Sequence, residues 1–285
     1  MNAKKIFGLV PSLLLPLIAW ADEKAFDASG IVQISIDVEK SDVRIEASTT
    51  DKITISADKL DDAVSVLENS IAITDRLPMA SSRRYLGPVI KVVVKPDIRA
   101  SIKTVSGDIT VRGLAAAVRA ATSSGDVTVD NCSGTINVNG VSGDLTIGQA
   151  NKDIEVRSVS GDIKVTRADG PLVELQGVSG DIRIENSSSP RLRVRSVSGD
   201  INIRATPPAE ATLEVSTVSG DVGLWINKTA GFELAFSSMS GDFHNDFTAA
   251  TIEQVRRKVT LRTGDASISI KVSTVSGDLS LRRLP

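Results

Sequence analysis

Ser, Gly and Asp recur together along this chain at a spacing that invites three kinds of chemistry. The tripeptide Ser-Gly-Asp places its glycine at 107, 125, 143, 161, 180, 199, 220, 241 and 277. Carboxylates repeated this regularly are candidates for a cation ladder, for the paired acids of glycoside cleavage, or for turn capping, and the serines beside them are candidate nucleophiles. A serine nucleophile on a strand-to-helix elbow needs Gly-x-Ser-x-Gly, but every candidate, such as Gly177-Val178-Ser179-Gly180-Asp181, has Asp where the last glycine belongs. Glycoside cleavage needs two carboxyl groups in unlike environments within a cleft, which equivalent members of a uniform ladder do not supply. Calcium-binding rolls use a nine-residue repeat with paired glycines, whereas here a single Asp per 18 residues or so is followed directly by an aliphatic residue. Local capping is therefore the preferred reading of the aspartates, with calcium as the alternative.

Stacked aspartates still need compensation. Like charges about 5 Å apart repel by roughly 0.8 kcal/mol in water and about 3 kcal/mol at an effective dielectric of 20. Turn amides, or the hydroxyls of Ser106, Ser142, Ser160, Ser179 and Ser198, are the expected partners. His244 is the only histidine, so a two-histidine metal site is not encoded, and it reads as an exposed residue of the last regular coil. Cys132 is the only cysteine, which excludes an intramolecular disulfide; it reads as a small, partly buried residue. No catalytic, cofactor-binding or metal-binding residue is assigned, and no cofactor is expected.

The elements that would position these residues follow from the period. Successive glycines are spaced 18, 18, 18, 19, 19, 21 and 21 residues apart, half the length of a helical-hairpin repeat, and each unit alternates β-branched residues with period two. Aligned on the glycine, one apolar column follows the Asp, as in Ile163/Val165, Ile182/Ile184 and Ile201/Ile203. A second lies upstream, as in Ile154/Val156, Val173/Leu175 and Leu192/Val194. A third stands just before the Ser-Gly: Val105, Val141, Val159, Val178, Val197, Val218, Met239 and Val275. All three are expected to point inward, with a bend or bulge where the step from Val194 to Val197 is three. The glycine is expected to supply a positive φ or a close approach between coils. The expectation is an all-β, single-domain β-solenoid of 18 to 21 residue coils, parallel β-helix-like, with irregular caps at both ends.

Composition agrees with that architecture. Aromatic residues make up only 3% of the chain, so core volume must come from Val, Ile and Leu, in stacked ladders rather than a thick globule. Lys4 and Lys5 precede an apolar run to Ile18 and an Ala19-Trp20-Ala21 cleavage signal, so residues 1–21 read as a signal peptide, and the product as periplasmic or secreted. Without Lys4 and Lys5 the chain has 33 − 2 = 31 basic residues against 35 acidic ones, about −4 in charge. With its scattered charges and scarce aromatics, that argues against a nucleic-acid partner, and no membrane span is expected. Residues 22–98 read as irregular opening coils and cap, with Leu60 to Glu68 able to form a helical turn or two. Residues 99–248 read as the regular solenoid and 249–285 as a closing element. Trp225, Phe243 and Phe247 read as cap packing, with a binding patch as the alternative.

The run Ile90-Lys91-Val92-Val93-Val94-Lys95-Pro96, then Thr104-Val105-Ser106-Gly107-Asp108-Ile109, and the terminal Thr274-Val275-Ser276-Gly277-Asp278-Leu279 resemble the bacterial "putative adhesin" family of Val-Ser-Gly-Asp repeat proteins. Ser123-Ser124-Gly125-Asp126 departs from the pattern by losing the Val. The resemblance implies a β-solenoid in the cell envelope and transfers no catalytic residues. The expected function is that of an exported, non-enzymatic envelope repeat protein: an adhesin-like scaffold, a binding surface or an envelope-stress component, with an unknown envelope protein or glycan as partner. The alternative is a polysaccharide-active β-helix lyase or hydrolase.

Overall fold

Alternating aliphatic residues in short units fold here into two facing sheets, which meet at the Ser-Gly-Asp corners. The computed structural model describes residues 22–60, 62–75, 85–248 and 250–285; the signal peptide expected over residues 1–21 lies outside them. One sheet has 13 strands and the other 14. Within the regular part each coil contributes one strand to each sheet, as Ile154–Ser160 and Ile163–Ala168 do before the chain returns for Leu172–Ser179 and Ile182–Ser187. Neighbouring coils pair in parallel and in register: Ile154 opposite Val173, Val156 opposite Leu175, Ile163 opposite Ile182. At the usual inter-strand spacing, 13 strands make a rod about 60 Å long. The fold is an all-β solenoid.

Two of the three apolar columns face the interior. Val156, Leu175, Val194 and Val215 line one wall, Val165, Ile184, Ile203 and Leu224 the other, and all are buried. The third column does not. Val105, Val141, Val159, Val178, Val197, Val218 and Val275 are 41% to 49% exposed and Met239 is 61% exposed. The inward position at this corner belongs to the residue before the valine: Thr104, Thr122, Ser158, Ser196, Thr217, Ser238 and Thr274 are the buried ones. Inward alternation therefore runs unbroken from Leu192 through Val194 to Ser196, and Val197 is already outside. The sheets converge here, leaving space for a small side chain or for none, as at Gly140, whose missing Cβ would sit 2.9 Å from Leu145 Cδ2.

Both ends depart from sequence order. Strand Gln33–Asp37 lies between Ser70–Thr74 and Arg99–Lys103, and Asp42–Ala47 lies between Val89–Val94 and Ile109–Arg112. At the far end Ile268–Ser276 sits between Thr212–Ser216 and Phe232–Ser240, and Leu279–Arg283 between Val222–Ile226 and Phe243–Asn245. Three of the four sheet edges end in antiparallel strands, Asp22–Asp27 on Lys52–Ala57, Val64–Leu67 on Ser70–Thr74 and Thr251–Val255 on Lys258–Thr263, while the fourth, Phe243–Asn245, stays parallel to Leu279–Arg283. Leu60 to Glu68 holds no helical turn among its described residues; Val64–Leu67 is instead the outer strand of an antiparallel hairpin with Ser70–Thr74. An isolated turn of helix has too few hydrogen bonds to compete with pairing to an open sheet edge.

Two glycines three residues apart test this corner. Gly180 has φ +115°, and a Cβ there would lie 2.5 Å from the carbonyl oxygen of Gly161 in the coil below. Gly177 occupies a position that Ser158 and Ser196 fill in the neighbouring coils. Gly180→Ala is expected to cost well over 1 kcal/mol, while Gly177→Ala should be neutral or stabilise by about 0.5 kcal/mol through the unfolded chain. Thermal unfolding of the two variants checks this, and equal losses would refute the corner geometry.

Candidate functional site

The Ser-Gly-Asp corner forms one continuous edge of the rod, and its chemistry is set by what each residue bonds. The backbone amide of each Asp donates to Oδ1 of the Asp one coil below: Asp126 to Asp108 at 2.9 Å, Asp144 to Asp126 at 2.8 Å, Asp162 to Asp144 at 2.9 Å and Asp181 to Asp162 at 2.8 Å. The series continues with Asp200 to Asp181, Asp221 to Asp200, Asp278 to Asp221 and Asp242 to Asp278. At the other end Asp108 donates to Asp42 at 3.1 Å. The amide ladder thus supplies the expected compensation for stacked charge, since an ionised acceptor strengthens each bond. The serine hydroxyls are bonded elsewhere, with Ser106 and Ser124 donating to the carbonyl oxygens of Glu39 and Val105 in the neighbouring coil.

The buried hydroxyls one position inward stitch the corner from inside. Thr104 and Thr122 accept from the amides of Gly107 and Gly125 at 3.0 Å. Ser158 donates to the carbonyl of Gly161, Ser196 to that of Ser198 and Thr217 to that of Ser219. Sequence reasoning missed this column because it admits Thr, Ser and Gly alike. The signal was present in the strict absence of large residues three positions before each glycine.

Outside this scaffold the valine column becomes a ridge. Its rungs from Val105 to Met239, interrupted at Ser123, extend about 40 Å at the inter-strand spacing. The serine row beside it is exposed as well, and the aspartate row borders it.

The remaining candidates separate in space. His244 is exposed in strand Phe243–Asn245, opposite Ser280. Cys132 is 2% exposed, donates its S–H to the Asp130 carbonyl at 3.4 Å, and has its thiol pKa pushed up chiefly by burial, so it is a poor nucleophile. It lines a cleft of about 330 Å3 with Arg167 and Asp169. The Ser188 hydroxyl, followed by Arg167, holds the Asp169 carboxyl below the usual carboxylate range. Phe247 is buried edge-on against Phe232 at 5.1 Å and Phe243 stacks on Phe236 at 5.8 Å, both as packing within the C-terminal cap. Trp225 has the guanidinium groups of Arg204 and Arg282, from the two neighbouring strands, each 5.5 Å from its ring, so it is engaged in cation–π contacts within the sheet. Among the described residues no group of three or more His, Cys, Asp or Glu is placed to hold a metal ion, and no helix is long and apolar enough to cross a membrane.

The repeated corner has a counterpart among known families. The model of the Toastrack DUF4097 family matches residues 97–173 and again 172–282, well over half of the chain. The chain belongs to the Toastrack DUF4097 family. The two matches divide the Toastrack solenoid near Leu172, at the start of strand Leu172–Ser179. No curated protein matches the chain. Among solved structures it is similar to a "putative adhesin" from Bacteroides fragilis, at 14% identity and TM-score 0.47, over 92% of this chain and 97% of that one. A "putative lipid binding protein" from Parabacteroides distasonis gives 14% identity and TM-score 0.42 over 94% and 98%. A "putative cell adhesion protein" from Clostridium sporogenes gives 9% and 0.25 over 93% and 100%.

The aspartate ladder yields a test by substitution. Asp181→Asn keeps an oxygen acceptor for the Asp200 amide and removes one like charge, so its stability should stay within about 0.5 kcal/mol of the parent. Asp181→Ala removes the acceptor and should cost about 1 kcal/mol. Chemical denaturation of the pair decides, and an Asn variant as unstable as the Ala one would remove the acceptor role.

Proposed function

We propose that this Toastrack protein is an exported, non-enzymatic envelope protein whose exposed Val-Ser-Gly-Asp edge serves as an adhesin-like binding surface. The observation that carries this reading is the valine ridge. Repeats of a solenoid retain buried residues for folding, but side chains nearly half exposed contribute little to a core. Their recurrence at every rung except Ser123 presents the same apolar, hydroxyl and acidic triplet repeatedly along the rod. A periodic surface suits an extended or polymeric partner, because each further rung engaged multiplies the residence time. Export rests on the leader pattern of Lys4, Lys5 and Ala19-Trp20-Ala21. The non-enzymatic reading rests on the equivalence of the aspartates, each engaged by the next coil's amide in the same way.

Ser123 shows which substitution the rod already tolerates in this column. The variant Val159→Ser/Val178→Ser/Val197→Ser is expected to unfold cooperatively with only a small loss of stability, and to bind isolated envelope from its own host at least tenfold more weakly than the parent. Co-sedimentation at matched concentrations reads this directly, and undiminished binding would sink the ridge as the contact surface. Release of reducing sugar ends from an envelope glycan, abolished by one carboxylate substitution, would overturn the non-enzymatic reading.

A further inference from the structure

Where the inner column carries a hydroxyl, its bonding changes at one end of the rod, and the change coincides with a change of charge. In five coils the buried hydroxyl is bonded within its corner: Thr104, Thr122, Ser158, Ser196 and Thr217. In the two outermost coils of the C-terminal end, Ser238 Oγ and Thr274 Oγ1 are buried without a hydrogen-bond partner, their residues only 8% and 6% exposed. A buried hydroxyl left unpaired is unfavourable, so its persistence in two adjacent coils needs an explanation. Both line a single cleft of about 410 Å3, together with Ser237, Met239, Val255 and the tip residues Arg256, Arg257 and Lys258 of the closing hairpin.

That tip is held in place over the cleft. The Ser238 amide donates to the Arg257 carbonyl at 3.2 Å, and Arg256 turns the chain with φ +54°. The cleft therefore combines three cations with two unused hydroxyls, and no carboxylate lines it. Among the described residues none of the three cations has an ion-pair partner. The adjoining cleft shares Ser238, Met239, Arg256 and Arg257 with this one and is lined also by Asp242 and His244, so one carboxylate adjoins the two arginines there. Around the tip stand four exposed apolar side chains: Met239, Ile252, Val255 and Val275.

We propose that this C-terminal cleft binds the phosphate of an anionic phospholipid headgroup, docking the end of the rod on a membrane surface. The guanidinium and ammonium groups meet the charge of the phosphodiester at the mouth of the cleft, with the Ser238 and Thr274 hydroxyls as the unpaired donors buried beneath it. The apolar side chains beside the cations fit the boundary where headgroup gives way to acyl chain, and a free anion would have no use for them. Basic residues on an anionic surface act together, and three of them amount to an affinity gain on the order of a hundredfold. This site shares none of its residues except Met239 and Val275 with the ridge, so the two proposals fail independently.

The test is co-sedimentation of the mature full-length chain with phosphatidylcholine vesicles, with and without phosphatidylglycerol. Binding is expected only with the anionic lipid, declining as salt is raised. Arg256→Gln/Arg257→Gln/Lys258→Gln should lose it by roughly a hundredfold with its melting temperature unchanged. Ser238→Ala/Thr274→Val should also weaken binding, yet melt no lower than the parent, because it removes two unsatisfied buried groups. Equal binding to neutral vesicles, or full binding by the triple variant, would overturn the site. So would a double variant that melts lower and binds normally, since the hydroxyls would then be structural. Inorganic phosphate that binds the chain alone, while anionic vesicles do not, would also overturn the membrane assignment.

Discussion

Consecutive coils of this protein approach too closely at the glycine of each Ser-Gly-Asp corner to admit a Cβ, and the features of the repeat are arranged around that contact. The carbonyl oxygen of Gly161 occupies space that a Cβ on Gly180 would need. Two neighbouring features depend on coils approaching so near. The Asp amide comes within 2.8 Å of the carboxylate below it, and the valine is turned outward by the same bend. Close approach, amide-to-carboxylate bonding and an exposed apolar ridge are thus three consequences of one corner.

The corner also explains how the ends can abandon sequence order without breaking the stack. From Asp42 to Asp108, and again from Asp221 through Asp278 to Asp242, the ladder passes between residues far apart in the chain, yet each bond has the same donor and acceptor. A rung is defined by its local geometry, so any coil carrying it can occupy any level. Placing both the earliest and the latest regular coils one level inside their ends leaves neither as an outer edge. Three of the four sheet edges are instead antiparallel strands such as Thr251–Val255, which cannot template another parallel coil, and the fourth is the three-residue strand Phe243–Asn245. Inserting Ile268–Ser276 between two strands already separated in sequence buries Ile268, Ile270 and Val272 from both sides. That is more protection than a terminal coil would otherwise have.

The amino-acid pattern determined the two inward walls and the solenoid class because both depend on strict period-two alternation at a fixed offset from glycine. It misplaced the valine column because hydrophobicity alone does not tell a buried position from a repeated exposed one where a corner interrupts the strand. Small residues at Thr104, Ser158 and Ser196 marked the true interior, and their polar character concealed it. The permuted ends were invisible for a different reason: every coil carries nearly the same register code, so the pattern cannot rank the levels. The C-terminal cleft joins Ser238, Thr274 and the tip at Arg256, which only the insertion of the last coil brings together.

A uniform rod and irregular caps can do different things. Equivalence along the rod means that any property of one rung is a property of nearly all of them, which favours repeated weak contact and disfavours a catalytic pair in unlike environments. Singular chemistry requires a place where equivalence breaks, and the C-terminal end supplies it. There the inner hydroxyls lose their partners, three cations gather without an ion-pair partner among the described residues, and an antiparallel hairpin folds over the last coils. Capping by itself would require only that the open edge be covered, which the outer strand Thr251–Val255 and its neighbour already achieve. Two unsatisfied hydroxyls beneath a basic tip exceed that requirement, and it is this excess over the needs of folding that points to a bound group.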